Sequence, residues 1–223
     1  MATNVYVDGF NFYYGVYKRP GMPPYVATCK WLDHSKLAEI IWPELRPVGR
    51  VRYFTANVHP APSDPNSSVR QQVYLRAIAS LGVDIHRGQF KCRRKTWTLK
   101  GETPQMPPST EKLVLNATAE IGKFDEKGSD VNLATYLVRD AAKADCDKAI
   151  VVSNDSDLVL AIEVTRADFS VPVYVINPQA RTVREIGLVA AGVRRVKPKD
   201  LVPAQMPATM TDANGTFSKP STW

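Results

Sequence analysis

The segment from Glu126 to Leu158 constrains the fold of this chain more than any other stretch. It contains an amphipathic helix, then a short apolar run, and then a polar turn that leads into a second helix. An uninterrupted apolar run of this kind is typical of a strand that is covered on both faces. Strand, polar turn and helix in this order are the repeat of an α/β fold, so we predict a mostly parallel sheet covered by helices.

Individual residues support each part of this pattern. Leu133, Leu137 and Ala141 follow each other at four-residue spacing, which places them on one face of a helix. Gly128-Ser129, directly before that helix, supply a turn and an N-cap. The apolar run is Ala149–Val152, and the chain then turns towards the second helix. Ligands of such folds bind beyond the carboxyl ends of the strands, so the following residues are candidates for a site.

Acidic residues stand at those positions. Asp155 and Asp157 follow the apolar strand directly, and Asp130 lies in the first turn of the preceding helix. Near the start of the chain, Asp8 follows a second apolar strand at 4–7. If the two strands are parallel neighbours, Asp8 and Asp155 emerge at the same edge of the sheet, and Asp130 reaches that edge if its loop lies on the same side.

Three or four carboxylates at one edge would repel one another unless a cation neutralised them. Hard carboxylate oxygens without a nearby Cys or His pair suit Mg²⁺ or Mn²⁺. A single acidic residue in the first turn of a helix is explained equally well by the helix dipole. The hypothesis of a metal site therefore depends on Asp8, Asp130, Asp155 and Asp157 taken together.

Three motifs resemble the signatures of NYN domains, in their bacterial LabA-like branch, which belong to the wider PIN-like nuclease class. They are VDGFN at 7–11, EKGSDVNLATYL at 126–137 and VVSNDSDL at 151–158. Two stretches of the tail, Gln205–Pro207 and Lys219–Trp223, are also similar to that branch. One departure is Ser-Asn-Asp in the last motif, where many members have Ser-Gly-Asp.

The resemblance implies a compact three-layer α/β/α sandwich and a metal-dependent ribonuclease site that acts on single-stranded or structured RNA. Asp8, Asp130, Asp155 and Asp157 match the acidic positions of the family, and Asn11 matches its polar partner after the first strand. The implied cofactor is Mg²⁺ or Mn²⁺. The expected activity is endoribonucleolytic cleavage of phosphodiester bonds, with Asn11 positioning the attacking water or the scissile phosphate.

The expected organisation is one nuclease domain over residues 1–200, which carries a basic hairpin insert at 86–110, followed by an extended C-terminal tail at 201–223. Lys and Arg outnumber Asp and Glu by 29 to 22, and this net charge of +7 is compatible with binding a phosphate backbone. Three widely spaced cysteines indicate neither a zinc site nor a disulfide framework, which fits a cytoplasmic protein. No apolar run has the length of a membrane span.

The hairpin insert is the candidate surface for RNA. Alternation at 89–92 and 96–99 predicts two short strands with Arg93-Arg94-Lys95 near the turn between them. Basic side chains interleaved with Phe90 and Trp97 suit a groove that follows phosphates and stacks bases. The alternative is a solvated arm, or a homodimer contact through those two aromatic residues. The candidate nucleic-acid-binding residues are Arg87, Lys91, Arg93, Arg94, Lys95 and, before the second motif's aspartate, Lys127.

Two other functions compete with the ribonuclease. A haloacid-dehalogenase-like phosphatase also has an aspartate after its first strand, but it needs a second acid two residues later, where this chain has Phe10. The stronger competitor is a catalytically inactive NYN module that binds RNA or a protein partner and has a regulatory role. All four acidic positions are present, which favours the enzyme.

Replacement of Arg93, Arg94 and Lys95 by neutral residues is expected to weaken RNA affinity and to flatten its salt dependence, because fewer counterions are released on binding. Binding titrations at several salt concentrations measure both quantities. An unchanged salt slope would exclude the arm from the RNA-binding surface.

Overall fold

The computed structural model describes residues 3–60, 64–99 and 117–223, with the backbone alone described at 90–99 and 117–126. In chain order the elements are β1 (Thr3–Asp8), α1 (Gly9–Tyr17), α2 (His34–Ile41), β2 (Val48–Thr55), α3 (Ser67–Ser80), β3 (Asp84–Arg87), β4 (Gln89–Leu99), β5 (Ala117–Lys127), α4 (Ser129–Ala142), β6 (Lys148–Val152), α5 (Val159–Phe169), β7 (Val173–Asn177), α6 (Arg184–Val189), β8 (Gly192–Arg195), α7 (Pro198–Leu201), β9 (Thr209–Asp212) and β10 (Gly215–Ser218).

Six of these strands form a central sheet in the order β3-β2-β1-β6-β7-β8, and every pair in it is parallel. The predicted parallel sheet is therefore confirmed. From β1 the chain builds outward through β2 to β3, and from β6 it builds in the opposite direction through β7 to β8. The boundary between β1 and β6 is thus the topological switch point, where ligands of open α/β sheets bind.

Helices cover both faces of the sheet, because successive side chains of a strand point to opposite faces. Val5 and Val7 of β1 belong to one apolar core with residues of α1, α2 and α3. Tyr6 belongs to the other core, with Leu133 and Leu137 of α4 and with residues of α5 and α6. The three-layer α/β/α sandwich predicted from the sequence is confirmed.

A buried ion pair lies inside the second core. Arg52 of β2 donates through Nε to Asp140 Oδ2 at 2.8 Å and through Nη2 to Asp140 Oδ1 at 3.2 Å. The Tyr6 hydroxyl donates to the same carboxylate at 2.9 Å, and the Asp140 side chain is 0% exposed. This network joins α4 to β1 and β2.

The basic insert differs from its prediction. One strand, β4, runs without interruption through 89–99 and pairs antiparallel with β5, from Gln89 opposite Lys127 to Leu99 opposite Ala117. Arg93-Arg94-Lys95 lie in the middle of β4, not near the turn of a hairpin contained within 86–110. The predicted turn was wrong because a local alternation break was taken for a turn, while the pairing partner lies beyond residue 110. Residues 100–116 lie outside the described residues.

The C-terminal tail also differs from its prediction, because it is folded against the domain instead of extended. After α7, strands β9 and β10 form an antiparallel pair. Arg76 of α3 forms a two-pronged ion pair with Asp212, at 2.7 and 2.6 Å, and its guanidinium lies over the Phe217 ring. Trp223 packs against Tyr74, with 5.7 Å between ring centroids. These contacts connect residues distant in sequence, which local periodicity does not reveal.

Among the described residues, no helix combines the length and the apolar character that crossing a membrane requires.

We expect Asp140→Ala to lower the free energy of unfolding by about 3–5 kcal/mol, because it leaves the Arg52 charge buried without its partner. Urea unfolding of the purified protein measures the change. Asp84→Ala is the matched control: Asp84 also contacts Arg52, at 3.1 Å, but its side chain is 47% exposed, so a loss within about 1 kcal/mol is expected. Equal losses for the two variants would contradict a buried pair.

Candidate metal centre

Asp8 is positioned by the end of β1 and the start of α1. It is the N-cap of α1, and its Oδ1 accepts from the Asn11 backbone N–H at 2.9 Å. Its other oxygen accepts from Ser153 Oγ at 3.0 Å. Gly9 allows this tight passage from strand to helix, since an added Cβ would lie 2.7 Å from the Tyr53 ring and 2.9 Å from the Phe54 carbonyl. Asp8 is consequently buried, with both carboxylate oxygens facing fixed donors.

Asp155 is held by the loop after β6 in a similar way. It is the N-cap of a short 3₁₀ helix, Ser156–Leu158, and its Oδ1 accepts from the Asp157 backbone N–H at 3.0 Å. The backbone N–H of Asp155 donates to Ser153 Oγ at 3.2 Å. Because that hydroxyl also donates to Asp8, Ser153 links the two acidic positions across the β1–β6 boundary.

Asp130 comes from a third direction, the first turn of α4. Gly128 precedes the helix with φ of 97°, a left-handed conformation that glycine adopts without steric cost. This turn redirects the chain from β5 into α4, so the antiparallel pair β4–β5 leads directly to Asp130. Ser129, between Gly128 and Asp130, is buried and lines the same cavity as the three acidic residues.

Oxygen atoms of Asp8, Asp130 and Asp155 all lie within 4.8 Å of one another. They line a cavity of about 270 Å³ at the carboxyl edge of the sheet. The pKa of Asp8 is raised to about 7, chiefly by burial and also by the negative charges of Asp130 and Asp155, while the hydrogen bonds from Asn11 and Ser153 act in the opposite direction. A site that disfavours its own ionised form gains most from a bound cation.

The donor set fits a hard divalent cation. It consists of carboxylate oxygens alone, and among the residues that the structure describes no other group of three or more His, Cys, Asp or Glu ligands comes together. Oxygen-only sites of this kind are typical of Mg²⁺ and Mn²⁺.

Two of the predicted site residues, Asp157 and Asn11, do not belong to the carboxylate cluster. Asp157 is exposed and lies outside the cluster of three, although its backbone N–H orients Asp155. Asn11 lies at the rim of the cavity, where its Oδ1 accepts from the Asn154 backbone N–H at 3.1 Å. The Asn11 side chain therefore ties the loop after β1 to the loop after β6.

The candidate RNA-binding residues lie at the end of β3, on β4 and at the end of β5. Arg87 ends β3 at the carboxyl edge, and Lys127 ends β5 two residues before α4 begins; both are exposed. Lys91, Arg93, Arg94 and Lys95 lie on β4, where the backbone alone is described. The first residue of β4 and the last residue of β5 pair with each other, so the strand pair adjoins the start of α4, which carries Asp130.

Sequence reasoning missed the residues that support the acids. Ser153 and Asn154 were interpreted only as a turn, yet both are buried. Asn154 Nδ2 donates to Gln179 Oε1 at 2.9 Å and to the Arg181 carbonyl at 3.0 Å, and its Oδ1 accepts from the Val183 N–H at 3.0 Å. Small polar residues at the carboxyl end of a buried strand were the available signal.

The parallel sheet, the two helical layers and the carboxylate cluster define a PIN-like α/β protein. The chain belongs to the NYN domain family, which it matches over residues 2–191. The family resemblance deduced from the three motifs is confirmed, and the assignment to the LabA-like branch stays a prediction.

Two individual proteins are similar to this chain. The 6-hydroxy-3-succinoylpyridine 3-monooxygenase HspA of Pseudomonas putida (strain DSM 28022 / S16) is 28% identical over 248 residues, covering 100% of this chain and 75% of that protein. The crystal structure of VPA0982, a protein of unknown function from Vibrio parahaemolyticus RIMD 2210633, superposes with a TM-score of 0.51 and 16% identity, covering 88% of this chain and 93% of that one. The second similarity concerns the fold alone.

Asp8→Asn is expected to stabilise the metal-free protein at neutral pH. The folded-state pKa of Asp8, about 7, lies above the unfolded value of 3.8, so the folded state holds the extra proton between these pH values. Stability of the wild type therefore falls as pH rises through that window, by at most about 1.4 kcal/mol per unit of pKa shift. In EDTA, the stability difference between Asp8→Asn and wild type should grow in favour of the variant from pH 4 to pH 7. A difference that does not change with pH would contradict the raised pKa.

Proposed function

We propose that this chain is a metal-dependent endoribonuclease whose centre is formed by Asp8, Asp130 and Asp155. The observation that carries the proposal is the convergence of these three carboxylates at the switch point of the sheet. Membership of the NYN family supports it, because that family belongs to the PIN-like nuclease superfamily. The basic net charge of +7 supports an anionic polymer as substrate.

A divalent cation held by the three carboxylates would lower the pKa of bound water and offset charge that develops on the phosphodiester. The remaining tasks belong to the chain itself. The Asn11 N–H and Ser153 Oγ fix the direction of both Asp8 oxygens, and the Asp157 N–H fixes Asp155. With these groups fixed, the carboxylates would hold the cation without reorganising during the reaction.

The other predicted site residues take supporting roles. Asn11 positions the loops after β1 and β6 relative to each other, and Asp157 acts on Asp155 through its backbone. Lys127, Arg87 and the basic residues of β4 guide the RNA backbone towards the cluster: Lys127 stands three residues before Asp130, and β4 begins at Gln89, which pairs with Lys127. Single-stranded or structured RNA is the proposed substrate, and Mg²⁺ or Mn²⁺ the proposed cofactor.

A second candidate function comes from the relative HspA, whose name describes a monooxygenase acting on a substituted pyridine. A specific observation favours it as an alternative: a large aromatic cavity adjoins the acidic cluster. Oxygen uptake by the purified protein with NADH and 6-hydroxy-3-succinoylpyridine would test it. The inactive RNA- or protein-binding module is the third candidate, and it predicts RNA affinity without turnover.

Cleavage of end-labelled single-stranded RNA in Mg²⁺, in Mn²⁺ and in EDTA tests the ribonuclease. We expect cleavage in either metal, none in EDTA, and a loss of more than about 100-fold in Asp155→Asn, because a ligand should matter more than the groups that orient it. Mn²⁺ should also raise the melting temperature of the wild type but not of Asp155→Asn.

Asp157→Asn is the matched control, because it neutralises an exposed neighbour and keeps the backbone N–H that orients Asp155. Its loss of activity should stay below about 10-fold. Cleavage that persists in EDTA and in Asp155→Asn would contradict the proposal. Tight RNA binding without cleavage would instead support the catalytically inactive binding module.

A further inference from the structure

A larger cavity, of about 750 Å³, lies next to the acidic one. The two cavities share Phe10 and Tyr14 as lining residues, so they form neighbouring compartments of one cleft. The larger compartment has the size of a pocket for a small organic ligand, which commonly measures 300–1,000 Å³. None of the residue roles assigned to the proposed ribonuclease uses it.

Its walls are mainly aromatic. Tyr13, Tyr17, Tyr53, Tyr74 and Trp223 all line it. The hydroxyls of Tyr17 and Tyr74 donate to backbone carbonyls, at 2.9 and 3.0 Å, so these groups are already satisfied by the protein. Neighbouring rings brace one another, with Tyr13 and Tyr17 centroids 5.6 Å apart and Tyr74 and Trp223 centroids 5.7 Å apart. A flat ring entering the compartment would meet preorganised apolar surfaces.

One buried polar group in this wall lacks a partner. His34 lines the cavity, is 4% exposed, and its Nδ1 makes no hydrogen bond among the described residues. Its ring is held between Phe12, at 4.7 Å, and Tyr53, at 5.4 Å. Burial lowers the pKa of His34 to about 3, so the imidazole is neutral at physiological pH. The neutral His34 ring, held between its aromatic neighbours, therefore adds a rigid uncharged face to the wall of the compartment.

Cations gather around the same compartment. Lys18, Lys30 and Arg70 line it, with Asp64 as the acidic residue that pairs with Arg70. The Lys18 ammonium lies 6.0 Å from the Tyr13 ring and the Lys30 ammonium 6.0 Å from the Trp223 ring. Burial lowers the pKa of Lys30, and the charges of Lys18 and Arg70 lower it further. Like charges that act on one another in this way favour a bound anion nearby.

We infer that the aromatic compartment is a nucleotide subsite, which stacks the base against its tyrosine and tryptophan walls and receives the phosphate between Lys18, Lys30 and Arg70. The compartment suits a ligand that combines a flat heteroaromatic ring with an anionic group. Among such ligands we propose a nucleotide. The role of the subsite in presenting RNA to the acidic cluster rests on the proposed function. Binding of a nucleotide there does not, because it needs neither metal nor cleavage.

Calorimetric titration of the full chain with UMP and with AMP in EDTA tests the subsite. We expect saturable binding, and clearly weaker binding of uridine, which lacks the phosphate, and of ribose 5-phosphate, which lacks the base. Trp223→Leu should weaken nucleotide binding by about 5- to 100-fold, the range for losing one stacking partner. Lys30→Gln tests the phosphate contact independently and is expected to weaken UMP but not uridine.

Two controls separate this inference from the ribonuclease. Tyr25→Ala removes an exposed tyrosine that does not line the cavity, and should leave affinity unchanged. Asp155→Asn should also bind UMP normally in EDTA, even though its cleavage is expected to fail. Melting temperatures verify that each variant is folded.

No binding of either nucleotide, or binding unaffected by both Trp223→Leu and Lys30→Gln, would overturn the subsite. Nicotinate is the competing ligand in this test, because it is a flat heteroaromatic acid that lacks a ribose. Saturable binding of nicotinate with no binding of UMP or AMP would overturn the nucleotide assignment.

Discussion

The parallel pairing of β1 with β6 is the interaction on which the rest of this structure depends. Its register places Val7 opposite Val152, so Asp8 and Ser153 leave the sheet side by side and the Ser153 hydroxyl can join Asp8 to the backbone of Asp155. Both strands are buried on both faces, and a slip of one residue would move every side chain to the other core. Apolar packing on both faces of the sheet therefore fixes the register that brings Asp8 and Asp155 within hydrogen-bonding distance of Ser153.

The acidic cluster opposes the stability that this packing provides. Burial of Asp8 beside two further carboxylates raises its pKa, and above pH 7 the ionised form weakens the metal-free fold. Elsewhere in the domain a buried charge is matched: Asp140 faces Arg52 and Tyr6 and leaves no charge unpaired. The contrast between one compensated and one uncompensated buried carboxylate distinguishes a structural network from a candidate metal centre.

The sequence allowed prediction of those features that depend on local pattern. Apolar runs and turn residues predicted the parallel sheet, and aspartates at strand ends predicted which residues would approach one another. Partners distant in sequence were not predictable: β4 pairs with a strand that starts at Ala117, and Arg76 anchors the tail through Asp212. The aromatic compartment was missed for the same reason, because its walls come from α1, α2, α3 and the tail, and no single segment shows their convergence.

The shared wall of Phe10 and Tyr14 connects the chemistry of the two compartments. A carboxylate cluster repels phosphates, so a nuclease of the proposed kind needs positive charge near the cluster to hold its substrate. The cations at the aromatic compartment provide such charge on one set of elements, and strand β4, whose first residue Gln89 pairs with Lys127 just before α4, provides it on another. The same arrangement of flat apolar walls, cations and hard oxygen ligands would also suit a small aromatic acid. Identifying the occupant of the aromatic compartment would therefore distinguish between the functions proposed above.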